Sequence, residues 1–167
     1  MINNKSQIIL GIDPGLADTG YGVIKDSNGK LEMLAYGSIK TAKGLDLSER
    51  IRQLEAGLIK IIKKYQPDFA GVEQLFFCNN VKTALMVGQA RGVVLLTLAK
   101  NNLPLLEFTP LQIKQAITGY GQADKKQIQQ MVKIILQLKV IPQPDDAADA
   151  LAIAICSAYC KKYYDLK

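Results

Sequence analysis

Residues 9–23, ILGIDPGLADTGYGV, decide how the rest of the chain is read. The run Ile8-Ile9-Leu10-Gly11-Ile12 is uniformly apolar and rich in β-branched residues, the pattern of a central strand buried on both faces. A carboxylate, Asp13, stands where that strand stops, and a glycine-punctuated turn follows from Pro14 to Gly20. Tyr21 to Lys25 reads as a second strand folded back on the first. Leu31, Met33, Ala35, Gly37 and Ile39 alternate with more polar neighbours, and SNGK at 27–30 is a hairpin turn. Three antiparallel strands therefore open the chain. Asp13 has two readings at this point: a turn residue before Pro-Gly, or a carboxylate held at a strand end for chemistry.

Working outward, Leu47, Ile51, Leu54, Leu58, Ile61 and Tyr65 recur every three or four residues, which predicts an amphipathic helix with Asp46 and Glu49 as a capping pair. Pro67 ends it, and DFAGVE (68–73) is a short buried strand finishing on Glu73. A helix from about Asn80 to Lys100 precedes a strand at Leu103 to Phe108. TPLQ (109–112) supplies an N-cap Thr, Pro at the first helical position and Gln three residues after the cap. GYGQAD breaks that helix, Asp124 starts another reaching about Leu138, and a last helix begins at Pro144 and runs to about Tyr163. The order βββ-α-β-α-β-α-α-α predicts an α/β fold: a mixed sheet flanked by helices. No repeat, linker or low-complexity tract divides it, so one domain over residues 1–167 is expected.

Composition narrows the chemistry. The chain has 167 residues, 49% hydrophobic, with a formal net charge of +6, enough for a real core and favourable to polyanionic partners. It contains three cysteines without CxxC spacing and no histidine. A Cys/His zinc site, Ser-His-Asp and Cys-His catalysis and any imidazole base are thereby excluded. The N-terminus lacks a signal-peptide core and no apolar run reaches membrane-spanning length, so a cytoplasmic protein without a membrane partner is expected. Carboxylates, lysines, hydroxyls or a metal must supply any catalysis.

Acidic residues fall at corresponding places. Asp13 ends the first strand, Glu73 ends the fourth, and Asp146 and Asp149, three apart, share one face at the start of the last helix. If the first and fourth strands are parallel neighbours, Asp13 and Glu73 emerge side by side where open α/β sheets place their sites. Clustered carboxylates repel unless a cation joins them. Mg²⁺ takes hard oxygen ligands, and a pair of ions roughly 3.5–4 Å apart activates water and stabilises a leaving 3′ oxygen. The plainer alternative is that Asp145, Asp146 and Asp149 complement a helix dipole.

The blocks GIDPGLADTGYGV, AGVEQLFF, ALMVGQARGVV, IKQAITGYGQADKKQIQQMV and PDDAADALAIAI, in that order, resemble the bacterial RuvC family of Holliday junction resolvases over essentially the whole chain. The resemblance implies a ribonuclease H-like five-stranded sheet, three antiparallel strands then two parallel, and Mg²⁺-dependent, symmetric cleavage of four-way junction DNA in recombination and repair. Mn²⁺ is expected to substitute. It implies that Asp13, Glu73, Asp146 and Asp149 are the catalytic metal ligands, with Asp149 where some members carry histidine. Asp145 lies outside the pattern and is left as a dipole or solvent residue. Phe76 matches an aromatic that stacks at the junction centre, with Phe77 its neighbour, and Lys114 and Lys125 match basic positions that contact DNA, Lys126 being adjacent. From the residues alone, the lysines read as solvated helix surface, and Phe76 reads equally as core. Gly88 and Gly92, four apart, read by themselves as close packing on the sheet, whereas the resemblance implies a homodimer through this region and contact with a RuvA–RuvB branch-migration complex.

Two other classes remain open here. An Asp-x-Gly turn after a first strand also grips phosphate in ATPases of the actin and sugar-kinase type, although those need two lobes. A non-catalytic junction-binding module is the third reading.

Overall fold

Alternation along the first strand sorts the whole molecule into two faces. In the computed structural model, which describes residues 6–74 and 81–164, β1 (Gln7–Asp13) is central in a five-stranded sheet ordered β3-β2-β1-β4-β5. Its neighbours β2 (Asp18–Ser27) and β4 (Phe69–Glu73) run antiparallel and parallel to it; β3 (Lys30–Lys40) and β5 (Leu105–Phe108) form the edges. The mixed arrangement matches the sequence expectation. At the β2–β3 turn Asn28 and Gly29 both take positive φ, 57° and 94°, the backbone a two-residue primed hairpin demands.

Leu10, Ile12, Val23, Ala70 and Val72 point to one face, where they pack against Leu58, Ile61 and Ile62 of α1 (Leu47–Tyr65) and Val94 and Leu98 of α2 (Val81–Lys100). Ile9, Ile24 and Phe69 point to the other. There they meet α5 (Asp145–Tyr164), over which lie α3 (Pro110–Thr118) and α4 (Lys125–Ile135). With a side-chain period of two, Asp13 shares the face of Ile9 and Gly11, and Glu73 that of Phe69 and Gly71. Both carboxylates therefore belong to the α5 side.

Glycine makes that side unusually close. Gly22, Gly11 and Gly71 sit in register across β2, β1 and β4, forming a side-chain-free row. A Cβ at Gly11 would overlap backbone atoms of Ala150 and Ala154, at Gly22 the backbone of Leu151, and at Gly71 the hydroxyl of Ser157; one at Gly20 would overlap the Asp146 carbonyl. The facing helix answers with small residues: Ala147, Ala148, Ala150, Ala152 and Ala154 are all buried. Gly20 and Gly22 thus clear space for a helix.

Local signals are met unevenly. Thr109 and Asp124 cap α3 and α4 through capping boxes with Gln112 and Gln127. Asp46 stands at the N-cap of α1 without a side-chain bond, and Glu49 pairs with Arg52 at 2.9 Å instead of completing a capping pair. The α4 helix stops at Ile135, short of Leu138, where Gln137 turns left-handed with φ 53°. Gly92 faces outward, with open space where a methyl group would stand, so it does not serve packing on the sheet. Among the described residues no helix is long and apolar enough to cross a membrane.

Candidate active site

The turn after β1 is tied down before any functional group is considered. The Thr19 hydroxyl donates to the Gly15 carbonyl at 2.6 Å, and the Thr41 hydroxyl donates to the Leu16 carbonyl at 2.5 Å. Thr41 also donates its N–H to the Ala17 carbonyl at 3.0 Å, and buried Arg50 donates its Nε to the Thr41 hydroxyl at 2.9 Å. Sequence reasoning missed Thr41 and Arg50; an arginine on the apolar stripe of α1 was the available signal. At the end of β4, Arg91 of α2 donates Nε to the Glu73 carbonyl at 3.3 Å and pairs with Glu107 of β5. The Gln74 N–H continues the sheet to the Phe108 carbonyl at 2.8 Å.

The strand ends so fixed meet the first turns of α5. One carboxylate oxygen each from Asp13, Asp146 and Asp149 lie within 4.8 Å of one another, all three side chains half-buried. Glu73 stands just outside this trio but couples to it by charge. It lines, with Asp149, Lys114 and Lys125, an open cavity of about 220 Å³ whose apolar lining includes Ile113 and Ile153. Lys125 reaches from α4 to Asp149 at 3.1 Å and to Asp145 at 3.3 Å.

Electrostatics show what the arrangement demands. Burial, followed by the charges of Glu73, Asp149 and Asp146, pushes the Asp13 carboxyl from 3.8 to about 8, against the opposing pull of Lys125. Glu73 is raised by burial and by Asp149, with Lys114 opposing. Asp146 is raised by burial and by Asp18, with Lys125 and Lys40 opposing. Asp149 is raised by burial, offset by its hydrogen bond to Lys125. Partial burial lowers Lys125, but Asp149 and Asp145 outweigh it and hold the ammonium above its usual value. Hard oxygen donors that resist ionising together are a donor set suited to a hard divalent cation, which replaces protons as the compensating charge.

Of the sequence-predicted residues, then, Asp13, Glu73, Asp146, Asp149, Lys114 and Lys125 converge. Lys126 does not: it lines a separate groove with Tyr120, Gln130 and Met131. Phe76 and Phe77 lie outside the described residues. Asp145, expected to be a bystander, accepts a hydrogen bond from Gln129 Nε2 at 3.0 Å as well as pairing with Lys125. Asp18, which the sequence did not flag, adds a charge beside Asp146.

The family model described as crossover junction endodeoxyribonuclease RuvC matches residues 9–157. A protein of that name from Desulforamulus reducens is 56% identical over 151 residues, covering 90% of this chain and 93% of its own. One from Clostridioides difficile is 52% identical, covering 93% and 92%. The structure of T. thermophilus RuvC in complex with Holliday junction substrate superposes with a TM-score of 0.89 at 34% identity, covering 94% of this chain and 96% of the other. With a matching family model across nearly the whole sheet and α5, and the acidic cluster seated at the strand ends, this chain belongs to the RuvC family of crossover junction endodeoxyribonucleases.

Proposed function

We propose that the protein is a structure-selective endonuclease that resolves Holliday junctions by divalent-metal-dependent phosphodiester hydrolysis, leaving 5′-phosphate and 3′-hydroxyl nicks in recombination and repair. The observation that carries the reading is the meeting of Asp13, Asp146 and Asp149 oxygens within 4.8 Å beside Glu73, Lys114 and Lys125. The Thermus thermophilus relative, solved with a Holliday junction substrate, supports four-way DNA as the ligand.

Asp13, Asp146, Asp149 and Glu73 would hold Mg²⁺, with Mn²⁺ as a substitute, and such an ion supplies a Lewis acid and an activated water. The chain's own residues do the rest. Glycine-seated α5 and the tied strand ends keep the carboxylates from separating. Lys114 and Lys125 place positive charge at the cavity mouth, where a scissile phosphate gains charge-assisted hydrogen bonds. Lys126 extends that positive surface, and Phe76 and Phe77 stack on bases opened at the junction, worth about 1–3 kcal/mol per base.

Two symmetric nicks call for two sites, so the reading includes a homodimer. The α2 helix supports it: Val81, Leu85 and Leu96, exposed by 72, 63 and 54%, lie with open Gly92 along one stripe. A cytoplasmic setting in one nuclease domain, with a RuvA–RuvB branch-migration complex as partner, belongs to the same proposal. The test is nicking of a synthetic four-way junction in Mg²⁺, with Asp13→Asn alongside. Cleavage by the parental protein and binding without cleavage by the variant are expected. A variant that cuts at the parental rate would remove Asp13 from the site, and a parental protein that binds but never cuts would make this a junction-binding module.

A further inference from the structure

Asp145 is not among the carboxylates whose oxygens meet, yet two side chains of α4 tie it to the site. Its Oδ1 accepts from Nε2 of Gln129, a buried side chain one turn beyond Lys125 on α4, at 3.0 Å. Its Oδ2 faces Lys125 Nζ at 3.3 Å, while the same ammonium reaches Asp149 at 3.1 Å. We infer that Asp145 is a positioning residue for Lys125: the carboxylate, aimed by Gln129, keeps the ammonium over the acidic cluster when Asp149 is engaged elsewhere. The inference rests on the proposed function, in which Lys125 meets the scissile phosphate.

The geometry divides the labour between the two carboxylates. An ammonium carries three donors and no fixed plane, so one ion pair leaves a long side chain free to swing. Two acceptors from consecutive turns of α5 restrict it to one region. Asp149, as a ligand, shares its oxygens with a cation. Asp145 is not one of the trio and is held at its other oxygen by Gln129, so its hold on Lys125 does not depend on what occupies the cluster. Both partners are about half exposed (49 and 54%), which sets the size of the effect.

Asp145→Asn removes the charge and puts an NH2 group where Oδ2 faced Lys125, while the amide oxygen still accepts from Gln129. At saturating junction the cleavage rate should fall about two- to fivefold, the range of an exposed ion pair. Junction affinity measured in chelator should stay at the parental value, and Asp145→Glu should restore most of the rate. In metal-free protein the ¹⁵N ammonium signal of Lys125, slowed in exchange by its two ion pairs, should broaden in Asp145→Asn. In a Lys125→Met background the Asp145→Asn change should have no further effect. An equal loss in that background, or an unchanged rate and an unchanged ammonium signal, overturns the inference. If Lys125→Met itself cuts at the parental rate, the inference fails, while the nuclease reading stands on the remaining cleavage.

Discussion

Replacing Asp13 by Asn should make the metal-free protein more stable, although it removes a residue on which the proposed activity depends. The folded carboxyl is raised from 3.8 to about 8, first by burial and then by Glu73, Asp149 and Asp146. Between those two values the native state binds more protons than the unfolded chain. The stability this group contributes is therefore present in full below 3.8, falls as pH rises across the window, and is lost above about 8. At 1.36 kcal/mol per tenfold change in proton affinity, the whole interval corresponds to a ceiling of about 6 kcal/mol. Asp13 is only partly buried and Lys125 lies close, so water and side-chain relaxation bring the expected figure to about 2–3 kcal/mol. Asn keeps the shape and cannot ionise. Urea denaturation in excess chelator, repeated from pH 4 to 9, should show the variant ahead by that amount at pH 8.5 and level near pH 4. A variant equal to or weaker than the parent at pH 8.5, or a gap that ignores pH, refutes the argument that the site is held against its own repulsion.

The remaining predictions test the neighbouring claims. Mg²⁺ at pH 7 should stabilise the parental protein and release protons, seen as a buffer-dependent heat by calorimetry, because ligation replaces the proton on Asp13; Asp13→Asn should show neither. Gly11→Ala should destabilise by about 1–3 kcal/mol in thermal melts and cut cleavage more than proportionately, since the added methyl has only α5 backbone to displace. Arg91→Gln should loosen the end of β4 and raise the Mg²⁺ midpoint of cleavage, read from a metal titration at fixed junction, with a melting change of about 1 kcal/mol or less. Thr109→Ala should cost about 1 kcal/mol in chemical denaturation through its capping box, with the Asp13 cluster unchanged.

Much of this was legible because local and tertiary signals agreed. The apolar run at Ile8–Ile12 announced a strand buried on both faces, and Thr109-Pro110 with Gln112 announced a helix start that the structure completes bond by bond. Asp46 shows the limit of such signals. A capping pair is a competition, and Glu49 found a better partner one turn on in Arg52. The Gly92 outcome has the same origin: small residues at helical spacing announce a close approach but not from which side. Lys125 and Lys126 part for a geometric reason: adjacent residues on a helix point about 100° apart, so Lys125 faces the cluster and Lys126 a separate groove.

The site itself was readable in its carboxylates and unreadable in its supports, and the difference is one of distance along the chain. Asp13 and Glu73 terminate strands whose parity the sequence carries, so their common face follows from counting by two. Asp146 and Asp149 reach them because the Gly22, Gly11, Gly71 row lets α5 lie against bare backbone. That row becomes visible only once β2, β1 and β4 are set in register. The same holds for Arg50 through Thr41, Arg91 through Glu73, and Gln129 through Asp145 to Lys125. Each is a polar contact across elements, with no periodicity to announce it. Such contacts confine a set of charges that repel one another, so the residues that make the cluster possible are the ones a motif does not contain.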